Sequence, residues 1–281
     1  MTAPVFILTS QTLEPAGATA TANVGSLLTL TGTEARHAVT VRRIRTGERV
    51  DLVDGAGLRL VCEVVQAGAE GRKDRLGVRV VERLEEPPTP LRLTLVQALA
   101  KGDRDEQAVE TATEIGVDLV LPWQAERCVS VWKGPKAAKG RERWQATAQE
   151  AAKQARRAWV PVVDAPRSTK QLCVWVAEVV QAGGVVLVLH EEVTAPVGGA
   201  PLPVLPAVQE EGDHTTASPV LAVIVGPEGG IGAQETAALK AAGAVPVRLG
   251  PHVMRTASAG PVALAVLAQR AGLWDPPQEQ G

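Results

Sequence analysis

The chain has 281 residues, 45% hydrophobic and 21% charged, with a formal net charge of −2, an ordinary globular composition with room for one large or two modest domains. No apolar run reaches the roughly 18 residues of a membrane helix and the first residues carry no basic-then-apolar signal, so a cytoplasmic protein with no membrane partner is expected. The near-neutral total does not announce a nucleic-acid binder, but charge is unevenly spread: five arginines face one acid, Glu48, between Arg36 and Arg49.

The first stretch predicts an all-β region. Leu27 to Leu30, Arg49 to Val53, Arg59 to Val65 and Leu76 to Val81 are short apolar or alternating runs parted by turn signals such as Asp54-Gly55 and Gly68. Only Thr33 to Thr40 has helical character. Glu85-Glu86-Pro87-Pro88-Thr89-Pro90 reads as a stiff linker, 85–90, between a first domain, 1–84, and a second, 91–281.

Beyond the linker the grammar changes to strand–helix alternation, which predicts a parallel sheet covered on both faces. Leu91 to Leu99 is a strand; Asp103 is expected to cap a helix with Glu106 at N3, and Gly116 to end it. Asp118 to Leu121 is the next strand. Trp144, Ala148, Ala151 and Ala155 fall on one helix face, which makes Trp144 a core residue rather than a base-stacking platform. Ser168 and Gln171 form a capping-box pattern before Leu172 to Val180, and Val185 to Leu189 is a buried strand. Thr194 to Ser218, rich in Pro and Gly and acidic towards its end, reads as a long mobile insertion.

The last sixty residues hold two similar units. Val220 to Val225 is a continuous apolar strand that runs into Gly226-Pro227-Glu228-Gly229-Gly230-Ile231-Gly232. Gly232 can then cap a helix, Ala233 to Ala242, with Glu235 at N3. Val245 to Leu249 is a second strand, Gly250 to Gly260 a second loop, and Pro261 is expected at N1 of the last helix. Both loops leave one edge of one parallel sheet, where open α/β sheets bind ligands. GPEGGIG lacks the Gly-Lys-Ser/Thr ending of a P-loop and is not GxGxxG, which disfavours nucleoside triphosphates and NAD. Cys62, Cys128 and Cys173 are odd in number and far apart, and His190, His214 and His252 lack ligand spacing, so neither a disulfide framework nor a metal is expected.

GPEGGIGAQE followed by LGPHVMRTASAGPVALAVLAQ closely resembles the paired signature of the ribosomal-RNA uridine-N3 methyltransferases of the SPOUT superfamily. TGTEARHAVTVRRIRTGERVDLVDGAG is similar to that family's N-terminal PUA-like barrel, and KGDRDEQAVETATEIGV and EAAKQARRAWVP to its middle segments, so nearly the whole chain is covered. The resemblance implies an α/β SPOUT fold with a C-terminal trefoil knot preceded by a small PUA-like β-barrel. It further implies S-adenosylmethionine as cofactor, methyl transfer to N3 of one uridine in the 16S ribosomal RNA of the small subunit, and a homodimer formed through the knotted domain. Rival readings are a SPOUT ribose or transfer-RNA methyltransferase and a catalytically silent ribosome-assembly protein. Three departures stand out: Thr256-Ala257-Ser258 lacks a carboxylate common after the family's arginine, Ile231 replaces a common Phe, and Arg42 a usually apolar residue.

Methyl transfer needs a nucleophile aimed at the methyl carbon in a site that excludes water. Gly226, Gly229, Gly230 and Gly250 would let main chain approach the cofactor. By resemblance they join Leu189, His190, Pro227, Glu228, Leu249, Val253, Met254 and Arg255 as the cofactor-binding set. Uridine N3 must lose its proton, and the always-cationic Arg255 can stabilise the resulting charge on the flanking carbonyl oxygens. Glu228 is the second candidate catalytic residue; the structural alternative for Arg255 is an ion pair with Glu228. No general base is identified. The RNA-binding set implied by the resemblance is His37, Arg42, Arg43, Arg45, Lys101, Arg104, Gln154 and Arg157.

Overall fold

The computed structural model describes residues 3–69, 72–205 and 218–275. The chain divides into two compact units, one of Met1–Pro88 with Ala152–Val160, the other of Thr89–Ala151 with Pro161–Gly281.

In the first unit β1 (Val5–Ile7), β2 (Leu13–Glu14), α1 (Ala18–Thr21), β3 (Leu27–Thr31) and α2 (Gly32–Arg36) precede a π-helical turn, His37–Val41, and then β4 (Arg49–Val53), β5 (Leu58–Ala69) and β6 (Arg72–Glu85). They form a six-stranded sheet in the order β1-β4-β5-β6-β3-β2, antiparallel except for the β1–β4 pair. Period-two alternation builds its core: Val50 and Leu52, then Leu60, Cys62 and Val64, then Leu76, Val78 and Val80 all point inward. Burial pushes the Cys62 thiol up to about 12, which leaves it an inert core group. β1 and β2 were not expected, since two or three residues are too few to display a period. The helix expected over Thr33 to Thr40 instead widens after Arg36 into the π turn.

Residues 152–160 return to this unit. Val160 N–H donates to Gly55 O at 3.0 Å, Trp159 Nε1 to Glu86 O at 3.0 Å, and Arg59 Nη2 to Arg156 O at 2.8 Å. Gly57, at φ 106°, lies so close to the Trp159 ring that a Cβ there would sit 2.8 Å from it. Nothing in the linear order of strands announces this excursion.

The second unit contains β7 (Arg92–Ala98), α3 (Arg104–Ile115), β8 (Leu119–Gln124), α4 (Pro135–Gln154), β9 (Val162–Val163), β10 (Arg167–Ser168), α5 (Thr169–Gln181), β11 (Val185–Leu189), β12 (Val220–Val225), α6 (Ala233–Ala241), β13 (Val245–Val247) and α7 (Thr256–Arg270). All seven strands are parallel, in the order β10-β8-β7-β12-β11-β13 with β9 also on β8. Alternate residues serve opposite faces. Leu93 and Leu95, Leu221 and Val223, and Leu187 pack with Val109, Ala112, Trp144, Leu264 and Leu267 of α3, α4 and α7. Val96 and Ala98, Ala222 and Ile224, and Val186 and Val188 pack with Leu172 and Val176 of α5 and Leu239 of α6. Two buried faces explain why these strands read as unbroken apolar runs. Trp144 is fully buried and meets Trp132 edge-on at 5.0 Å, as a core residue should.

Three local expectations need correction. Asp103 is the residue before α3, but its side chain caps nothing; Glu106 turns away to pair with Arg143 at 2.7 Å, so the ion pair wins over the cap. The capping box at Ser168 and Gln171 does form. The last helix starts at Thr256, leaving Pro261 inside it. Its first turn is secured from elsewhere: Ser258 and Ala259 N–H groups donate to Arg255 O, and Thr256 Oγ1 to Gly226 O, each at 2.9 Å. Those contacts and the tight seat of Gly260, where a Cβ would fall 2.6 Å from Leu95 Cδ1, outweigh the preference of proline for a helix start. Finally, the expected mobile insertion begins as packed structure. Ala195 O and Val197 N–H bond the backbone of Arg248 at 2.7 and 2.8 Å, Val197 and Ala200 are buried, and Arg270 Nη1 donates to Ala200 O at 2.9 Å. The remainder of that insertion, 206–217, lies outside the described residues.

Candidate active site

A cleft of about 790 Å³ opens at the C-terminal ends of β11, β12 and β13. Its size falls in the roughly 300–1,000 Å³ range of small-molecule sites. The twelve residues Leu189, His190, Gly226, Pro227, Glu228, Gly229, Gly230, Leu249, Gly250, Val253, Met254 and Arg255 all line it. The topology explains the convergence: β11 lies between β12 and β13, so loops distant in sequence leave neighbouring strands in one direction.

Two glycines have distinct structural reasons. Gly226 permits the β12 loop to fold back on itself, since a Cβ there would lie 2.6 Å from Ile231 Cγ1; Gly230 supplies a φ of 72°. Gly250 differs from both, with no left-handed backbone and, among the described residues, no atom within 4 Å of where its Cβ would be. Gly250 lines the cleft, and a side chain there would meet open space.

Charge in the site is ordered around Glu228. Its Oε1 accepts from Arg104 Nη1 at 2.9 Å and from the Lys101 N–H at 3.2 Å. Partial burial opposes ionisation, but backbone N–H groups and the Arg104 guanidinium together hold the carboxyl below its ordinary value. Arg104, and not Arg255, is thus the ion-pair partner of Glu228. Arg255 is exposed in the cleft, and its guanidinium has no partner among the described residues. Lys101 lies beside the cleft and contributes its backbone.

Sequence reasoning missed several lining residues: Arg127, Arg248, Ile231, His252, Glu191, Glu192 and Thr256. Arg127 donates to Gly229 O at 3.1 Å and Arg248 Nη2 to Pro251 O at 2.9 Å, so each steadies one of the two loops. Arg127 stands just after β8, and the general rule that ligands gather at carboxyl ends of parallel strands was the available signal.

Beneath the Lys101–Arg104 turn lies Asp105, 1% exposed, whose carboxylate accepts from the N–H groups of Glu106 at 2.9 Å and Ala100 at 3.4 Å. Burial, outweighing those bonds, raises it from 3.8 to about 6. A folded value above the unfolded one means that Asp105 contributes stability fully below about pH 4, and that this is lost as pH rises through about 6. Chemical denaturation of wild type and Asp105→Asn from pH 4 to 7 should show the difference in unfolding free energy moving in favour of the variant by about 3 kcal/mol. A pH-independent difference would contradict the buried-carboxylate account.

The other predicted RNA-facing residues lie in the first unit. Arg42, Arg43 and Arg45 are exposed, while His37 is half-buried, opening the π turn with its ring edge-on to Phe6 at 6.1 Å. Arg42 and Gln154 line a cleft of about 440 Å³ together with Lys153 and Arg156. Lys153 is nearly buried there, its Nζ 3.0 Å from Glu34 Oε1. Arg157 neighbours this cleft, its N–H donating to Ala152 O at 2.9 Å. Among the described residues, the two non-glycine positions with left-handed backbone are both arginines at or next to this cleft, Arg43 (φ 55°) and Arg156 (φ 58°). Such backbone costs on the order of 1 kcal/mol each and collects at functional sites.

Comparison with known proteins places both units. Residues 87–268 match the RNA methyltransferase domain family and residues 30–71 the RNA methyltransferase PUA domain. The class is therefore that of an RNA methyltransferase with a PUA-like domain. Over 253 residues the chain is 46% identical to the ribosomal RNA small subunit methyltransferase E of Mycobacterium bovis, covering 90% of each, and over 245 residues 29% identical to that of Bacillus subtilis, covering 87% of this chain and 90% of the relative. A Legionella pneumophila methyltransferase solved with bound SAM superimposes with a TM-score of 0.75 at 27% identity, covering 96% of this chain and 98% of the other. The chain belongs to the ribosomal RNA small subunit methyltransferase E family.

Proposed function

We propose that this protein transfers a methyl group from S-adenosylmethionine to N3 of one uridine in the 16S ribosomal RNA of the small subunit, in the cytoplasm. The observation that carries the reading is the convergence of the two glycine-bearing loops on a single cleft in which Arg255 stands exposed. The relatives named for small-subunit ribosomal RNA methylation supply the substrate class. The same kinship supports a trefoil-knotted C-terminal segment, a closed PUA-like barrel and a homodimer formed through the knotted domain.

The residues fit the cofactor. Gly250 leaves open space against the cleft, Leu189, Leu249, Val253 and Met254 offer apolar walls, and Gly226 to Gly230 present main chain. S-adenosylmethionine, when bound, supplies an electrophilic methyl group on a sulfonium. The chain's own contribution is positional and electrostatic. Arg255 stabilises the deprotonated uridine, whose charge lies on the carbonyl oxygens flanking N3, and it does so without exchanging a proton. Glu228, held by Arg104 and the Lys101 N–H, braces the first glycine loop against the β7–α3 turn. Glu228 or Ser258 covers any hydrogen-bonding role of the carboxylate missing at Ala257. In the first unit His37, Arg42, Arg43, Arg45, Gln154 and Arg157 face RNA, with the Arg42–Arg156 cleft taking backbone phosphate.

The test is transfer of labelled methyl to small ribosomal subunits that lack uridine-N3 methylation, followed by mapping of the modified base. A single N3-methyluridine is the expected product. Label on ribose or on transfer RNA, or no label at all, would overturn the assignment.

A further inference from the structure

Gln97 occupies a position where the sheet's own alternation calls for an apolar side chain. Leu91 just before β7, and Leu93 and Leu95 on it, belong to the core shared with α3 and α7, and residue 97 is next in that series. Gln97 is 0% exposed, and its Oε1 finds no donor among the described residues. Burying an amide with an unsatisfied oxygen is costly, so a polar group at the centre of a sheet calls for an account of the bonds it does make. Its Nε2 donates to Ala98 O at 3.1 Å and to Thr256 Oγ1 at 2.9 Å, and Thr256 Oγ1 donates in turn to Gly226 O at 2.9 Å.

This relay joins three pieces of chain at one point. Gly226 begins the first glycine loop, Thr256 begins α7 directly after Arg255, and both residues line the cleft. The hydroxyl of Thr256 has one proton. Because Gln97 presents N–H to it, that proton goes to Gly226 O, and the amide fixes the direction of the second bond. The pair also works without slack, since Gly260 in the next turn of α7 rests where a Cβ would lie 2.6 Å from Leu95 and 3.0 Å from Val225.

We propose that Gln97 is a positioning residue, which through Thr256 sets the spacing of the two glycine loops and thereby the shape of the cofactor end of the cleft. The proposal rests on the reading of that cleft as the S-adenosylmethionine site. It separates from simple core packing by polarity. A Gln97→Glu substitution is nearly isosteric, and a carboxyl buried there without a cation stays protonated, so it keeps one O–H donor in place of the two N–H bonds of the amide. Gln97→Met keeps volume and the Thr256–Gly226 bond while losing only the donor.

The experiment measures S-adenosylmethionine affinity by calorimetry, together with amide hydrogen exchange at Gly226, Glu228–Ile231 and Arg255–Ala257. The proteins are wild type, Gln97→Glu, Gln97→Met, Thr256→Val and Thr256→Ser. The relay predicts affinity about tenfold weaker in Gln97→Met and Thr256→Val, a smaller loss in Gln97→Glu, and recovery in Thr256→Ser. It also predicts faster exchange in both loops together for the two severe variants. Gln97→Met binding as tightly as wild type, or folded variants with both loops as protected as in wild type, would overturn it. Wild type that fails to bind S-adenosylmethionine would instead overturn the proposed function, and the exchange measurement would still decide the relay.

Discussion

Arg255→Ala is expected to lower the single-turnover rate of methyl transfer about 10²–10³-fold while barely changing thermal stability. The two halves have one cause. The Arg255 guanidinium is exposed in the cleft with no partner among the described residues, so its removal strands no buried group and opens no cavity. In the proposed role its contribution appears only when negative charge develops on the target base, in a site from which substrate has displaced water. Arg255→Lys should restore only part of the rate, because an ammonium retains the charge but not the planar fork that can address two atoms at once. Rate measured with saturating cofactor, beside cofactor affinity measured alone, decides between roles. Loss of affinity by the full factor, with the saturated rate intact, would make Arg255 a cofactor ligand and nothing more.

Gly250→Leu is expected to abolish detectable S-adenosylmethionine binding with little change in melting temperature. Among the described residues no atom stands within 4 Å of a Cβ at Gly250, and its backbone is not left-handed, so the fold has no reason to resist a side chain there. The new side chain would project into the space assigned to the cofactor. Gly226→Ala provides the contrast. Its Cβ would collide with Ile231 at 2.6 Å and the loop itself would have to move, so stability and binding should fall together. Calorimetric titration and thermal melts on the two variants separate these outcomes. If Gly250→Leu binds cofactor normally, the cofactor does not lie against Gly250.

What could be read from the residues alone follows from how local each signal is. Five of the seven strands described in the parallel sheet were legible because burial on both faces leaves a continuous apolar run, as in Val185 to Leu189 and Val220 to Val225, whereas β9 and β10, two residues each, carry no such run. The Ser168–Gln171 box was legible because a cap is made by residues three apart. Pro261 misled because its preference for a helix start is weaker than the tertiary bonds that begin α7 five residues earlier. Glu106 misled because its partner, Arg143, is remote in sequence. The cleft divides in the same way. Its two glycine loops announce themselves by composition, while Arg127 and Gln97 enter only through the order of strands in space, which no window of sequence contains.

The return of residues 152–160 to the first unit has a consequence for synthesis. Gly55, Gly57, Arg59 and Glu86 cannot meet their partners in that segment until well over half the polypeptide has been made. The amino-terminal sheet can pair its strands early, but Ala158 against Val5 and Val53, and the Trp159 indole against Glu86, are added last. The first unit therefore cannot complete its fold until part of the second has been synthesised. A fragment cut at the proline-rich boundary near Pro88 would retain every strand of that sheet and still lack its closing piece.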